Sequence, residues 1–111
     1  MSTRPLHHLV IMDGQAADET TSTVIGSSIA SQVQQSVFYV VWSAGVSAGV
    51  VEIEAAHRED YTGTWASVGT VTFATASTVH RVNVTGVHLA LRARISTAVA
   101  GGTVDVIFGG N

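Results

Sequence analysis

The chain has 111 residues, a net charge of −3 and 12% charged residues, about half the ~25% of an average soluble domain. All of its basic residues other than histidine are Arg, in no block, so a phosphate-tracking surface for nucleic acid is excluded. The absence of cysteine rules out a disulfide framework and thiolate chemistry, the 46% hydrophobic content rules out a disordered chain, and no stretch nears the ~20 apolar residues of a membrane helix.

Strand signals run the length of the chain, and one domain over residues 1–111 is expected. Met1 to Pro5 read as a short extended arm without the apolar core of a signal peptide, which predicts cytoplasmic synthesis. Residues 6–12 read as a first strand, stopped by the turn pair Asp13-Gly14. Residues 15–21 read as a polar loop. A second, weaker strand is expected over 22–29, where 27–35 offers at most one helical turn. Residues 34–43 carry the unbroken run Val37-Phe38-Tyr39-Val40-Val41-Trp42, which predicts a central strand buried on both faces.

After a turn at 45–49, residues 50–58 alternate. Val51, Ile53 and Ala55 point one way and Glu52 and Glu54 the other, and a hairpin with the preceding run is expected. Residues 59–64 make a loop tip. Further strands are expected at 65–73, 79–84, 88–96 and 103–108, with Leu89, Leu91, Ala93 and Ile95 on one face and Arg92 and Arg94 on the other. Gly110-Asn111 reads as a tail. The fold class expected is all-β: one antiparallel, jelly-roll-like β-sandwich of about eight short strands.

A surface this poor in charge is unusual for a free monomer. It predicts that much of it is covered by partners, as in homo-oligomers and assembly subunits.

Candidate chemistry is thin, and a non-enzyme without cofactor or metal is expected. Glu52 and Glu54 lie two apart on one strand, side by side rather than across a cleft as catalytic carboxylates converge. A solvated face or a salt bridge to Arg92 or Arg94 is the expected role. His57 and Asp60 lack any nucleophile elbow nearby. His7 and His8, adjacent in a strand, point to opposite faces, while His80 and His88 lie on separate strands. Asn83-Val84-Thr85 matches a glycosylation sequon that the expected compartment leaves unused. The residues expected at an interface are Arg4 and Pro5 on the arm, Tyr61 and Trp65 at the loop tip, and Arg92 and Arg94 on their strand.

The second half carries an ordered set of pieces. They are Val51-Glu52-Ile53-Glu54, Gly63-Thr64-Trp65, Val82-Asn83-Val84-Thr85-Gly86, Leu91-Arg92-Ala93-Arg94-Ile95 and Gly101-Gly102-Thr103-Val104-Asp105-Val106. In order and spacing these resemble small virion proteins of tailed bacteriophages, over about half of the chain. The resemblance implies a jelly-roll-like sandwich on a phage particle. It would be a capsid decoration (cement) protein bridging major capsid subunits, with a trimer favoured, or alternatively a tail, baseplate or fibre module binding the host surface or carbohydrate. The major capsid protein or other virion proteins would be its partners and the virion its location. The chain departs from the pattern before Trp65, where Tyr61-Thr62-Gly63-Thr64 replaces the usual Asp-Gly and weakens a carbohydrate-contacting role for that loop.

Overall fold

In the computed structural model, which describes residues 7–30, 33–74, 79–86 and 88–110, the chain forms β1 (His7–Gln15), one helical turn α1 (Ser27–Ala30), β2 (Gln35–Trp42), β3 (Ala48–Ala56), β4 (Ala66–Thr72), β5 (Val79–Thr85), β6 (Ala90–Ala100) and β7 (Val104–Gly110). Two antiparallel sheets result, of order β1-β7-β2-β5 and β4-β3-β6. Period-two alternation decides which side chains meet between them. Phe38, Val40 and Trp42 of β2, Val104, Val106 and Phe108 of β7, Val51 and Ile53 of β3, and Leu91, Ala93 and Ile95 of β6 are all buried. Phe38 and Phe108 sit at the centre, ring centroids 5.3 Å apart. Each large apolar side chain so enclosed contributes roughly 1.5–3 kcal/mol.

An eighth element completes the smaller sheet. The segment 19–25 runs along the free edge of β6, bridging Thr21 to Arg94 and Ile25 to Leu91. Ser22 N donates to Ala93 O, Ile25 N to Leu91 O, and Leu91 N returns a bond to Ile25 O. With this edge the two sheets have the strand order of a jelly roll.

Several expectations are corrected. The second strand occupies only the start of 22–29; Ser27–Ala30 is helical. No hairpin joins β2 to β3, because they belong to opposite sheets and β2 pairs with β5 and β7 instead. Their connection crosses over, and Gly45 and Gly101, at φ 93° and 86°, let the two neighbouring turns touch backbone to backbone where a Cβ on either would collide with the other's carbonyl. Asp13-Gly14 does not end β1. The strand continues to Gln15 through register shifts against β7, with Gly14 at φ 63° and its N–H donated to Asp105 Oδ1 at 2.7 Å. Leu89 lies outside β6 and is 49% exposed. Gly110 is no tail: it pairs with both His7 and Ser36. The arm at 1–5, including Arg4 and Pro5, lies outside the described residues.

Candidate interaction surfaces

The outward face of the smaller sheet is a closed ionic cluster. Glu54 on β3 and Arg92 and Arg94 on β6 face outward because their neighbours Ile53, Ala93 and Leu91 face the core. Register places Glu52 opposite Arg94 and Glu54 opposite Arg92. Glu54 is 3% exposed, and it accepts from Arg92 Nε at 3.0 Å and from Arg94 Nε at 2.9 Å. Arg94 spends its remaining donors on Glu19, at 3.0 and 3.2 Å, and on Glu52 at 3.4 Å. Glu52 also accepts from Thr70 Oγ1 at 2.7 Å. The hydrogen bond to Glu54, opposed by burial and reinforced by the charges of Glu54, Glu19 and Glu52, raises the Arg94 pKa above its ordinary value. Arg94 is therefore a fixed cation.

Trp65 completes this face. It is 4% exposed, its indole N–H donates to Tyr61 O at 3.0 Å, and the Arg92 guanidinium carbon stands 4.2 Å from its ring centroid. The loop-tip aromatic expected as a partner anchor is thus a packed ring. Tyr61 is half-buried, 4.8 Å from the His57 ring. Of the six expected interface residues, the structure links four in a chain of contacts: Tyr61 O holds the Trp65 indole, Arg92 covers the Trp65 ring, and Arg92 and Arg94 meet on Glu54.

The other candidates separate. Asp60 pairs with Arg58 at 3.3 Å, both exposed. His80 Nδ1 accepts from Trp42 Nε1 at 3.0 Å, and His88 Nε2 lies 3.1 Å from Thr85 O. Among the described residues no three His, Cys, Asp or Glu side chains converge to hold a metal.

The larger sheet presents a different face, which the sequence reading missed. Val37, Tyr39 and Val41 of β2 alternate with the core residues and so point outward; Val37 and Val41 are half-buried and Tyr39 is 38% exposed. The run 37–42 is not buried on both faces: one side is core, the other open. Register aligns Val10, Ile107, Tyr39 and Arg81 in one row across all four strands, with Val10 58% exposed. Asp105, Val41 and Val79 form the next row, and Gly109, Val37 and Asn83 the row on the other side. Toward one end, a shallow hollow of about 370 Å³ is lined by Val37, Asn83 and Gly109 among others, together with Ser36, whose buried Oγ has no hydrogen-bond partner among the described residues. A sheet face exposed to water ordinarily alternates to polar residues; this one carries Val37, Tyr39 and Val41 along β2 and Ile107 on β7, with Asp105 the one charged outward group on those two strands.

Fold and surfaces define the class: an antiparallel jelly-roll sandwich with one ionic and one apolar outer face. No protein-family model matches the chain, and no curated protein matches it. Among solved structures it is similar to a chain of Bacillus endospore appendages, described as a family of disulfide-linked pili. The match covers 99% of this chain and 91% of that one, at a TM-score of 0.50 and 16% identity. At that identity the likeness is one of fold.

Proposed function

We propose that this protein is a non-catalytic building block of a protein assembly. The observation that carries the reading is the apolar row Val10–Ile107–Tyr39 on an outer sheet face, a surface that a free monomer leaves unused and an assembled subunit covers. The assembly we favour is a tailed-bacteriophage particle, on the strength of the motif order in the second half of the chain. There the protein would decorate the shell and brace neighbouring capsid subunits, held by buried sheet faces and by no catalytic step. Particles lacking it are expected to assemble but to release DNA at a lower temperature than complete ones. Particles of unchanged heat resistance would count against the decoration role, and loss of adsorption to cells in their place would assign the protein to the tail or fibre.

A filament subunit is the second reading, favoured by the fold shared with the endospore appendage protein. That protein's pili are described as disulfide-linked. This chain has no cysteine, so a filament of it would be held without disulfide links. Electron microscopy of the concentrated protein separates the readings: fibres support the second, discrete oligomers the first.

A further inference from the structure

We propose that the outer face of the β1-β7-β2-β5 sheet pairs with the same face of a second copy, about a two-fold axis lying between the sheets and parallel to the strands. This rests on the assembly reading and names its partner and geometry.

Three features of the face select that occupant. The first is size. Seven-residue strands at about 3.4 Å per residue, four abreast at about 4.8 Å, span roughly 24 by 19 Å. In projection that is about 460 Å², which side-chain relief brings toward the roughly 600 Å² per partner at the lower bound of specific interfaces.

The second is shape. Tyr39 and Ile107 stand opposite each other in register on the two middle strands. A two-fold axis running between β2 and β7 lays Tyr39 of each copy over Ile107 of the other, twice. The expected trimer has no such correspondence, since a three-fold contact joins two different patches.

The third is charge. Exposed Arg81 lies on β5 at one edge of the sheet. Among the described residues its guanidinium has neither ion pair nor hydrogen bond. At the other edge, exposed Asp13 on β1 lies beside Asp105 of β7, whose Oδ1 already holds the Gly14 amide. The face is therefore basic at the β5 rim and acidic on the β1-β7 side, through Asp13 and Asp105, with the apolar row Val10, Ile107 and Tyr39 running across it. A two-fold axis parallel to the strands places β5 of each copy over β1 of the other. Arg81 then falls one residue row from the acidic rim, about 7 Å, which an arginine side chain spans. A two-fold axis perpendicular to the strands keeps β5 over β5 and sets arginine against arginine and acid against acid. Like-charge contacts of that kind are unfavourable, so the first axis is selected.

Sedimentation equilibrium of the full chain at rising micromolar concentration tests this. The wild type is expected to form dimers, and Ile107→Glu to weaken association at least about tenfold. Arg81→Asp and Asp13→Arg are each expected to weaken self-association. An equimolar mixture of these two variants is expected to recover it, because both inter-copy contacts in the mixed pair become Asp–Arg. Thermal melts of each dilute variant confirm that it is folded. Dimers untouched by Ile107→Glu, a trimer, or a mixture that stays dissociated would each overturn the pairing and leave the assembly reading standing on another face. A wild-type monomer throughout would also overturn it. The assembly reading would then be decided separately, by whether the monomer binds particles that lack it.

Discussion

Outward positions on β3 and β6 are Glu52, Glu54, Arg92 and Arg94; outward positions on β2 and β7 are Val37, Tyr39, Val41, Asp105 and Ile107. Both sets arise from the same alternation over the same core, and they spend their surface differently. On the first face every charge finds its opposite within the chain, so the cluster asks nothing of a partner. On the second, no described segment packs over the outward apolar groups, and the charges are split between Arg81 on β5 and Asp13 and Asp105 on the β1-β7 side. The lesson is that charge alone does not mark an open surface: the arginines expected at an interface are paired within the chain, and the groups left uncovered are the plain valines, isoleucine and tyrosine of the other sheet.

The sharpest way to break this comparison is to substitute neighbours on β2. Val40 is fully buried, whereas Tyr39 beside it faces outward. Val40→Asp places an unpaired carboxylate in the core, which costs several kcal/mol, on the scale of the ~5–15 kcal/mol that stabilises a whole domain. We expect no cooperative melt and insoluble or unfolded protein, read by circular dichroism. A soluble variant with a sharp transition would show that β2 is not central.

A smaller effect is expected on the ionic face. Glu54→Gln keeps the shape but removes the carboxylate that two guanidinium groups share. Breaking a buried ion pair typically costs ~3–5 kcal/mol. The Arg92 and Arg94 side chains retain 17% and 21% exposure, and Arg94 keeps Glu19 and Glu52, so a loss of about 2–3 kcal/mol is expected here. Urea unfolding should show a lower midpoint at unchanged slope. Self-association should not change if this face is closed; a parallel loss of association would place it in an interface after all.

Much of the fold was legible because alternation with a period of two marks a strand and its inner face at once. Leu91, Ala93 and Ile95 share one face in the alternation, opposite Arg92 and Arg94, and all three are buried. The Glu54–Arg92–Arg94 contact was legible for the same reason, as carboxylates and guanidiniums on outward positions of neighbouring strands. Pairing was not legible. The turn at Gly45 serves a hairpin or a crossover equally well, and only contacts distant in sequence, β2 with β5 and β7, decide between them. Glu19 was missed because residues 15–21 read as loop; its backbone at φ 62° and the bond from its N–H to Ile95 O bring it to Arg94. The open face was hidden by the unbroken apolar run itself. Continuous apolarity says that both sides of a strand avoid water, and leaves open whether the second cover comes from the same chain or another.

The smallest effect on the fold, and the one that bears most on that last point, belongs to Tyr39→Thr. Threonine suits a strand about as well as tyrosine, and the position is 38% exposed, so the dilute monomer should lose no more than about 0.5 kcal/mol. Association is where the substitution acts, since it removes the ring that covers Ile107 of a second copy. If copies pair through this face, the wild-type melting temperature rises with protein concentration, because mass action stabilises whatever the folded state binds. The Tyr39→Thr melt should then be flat over the same range and meet the wild-type curve at high dilution. A concentration dependence equal to that of the wild type would mean that the ring is an ordinary exposed side chain, and the contrast between the two faces would lose its functional meaning.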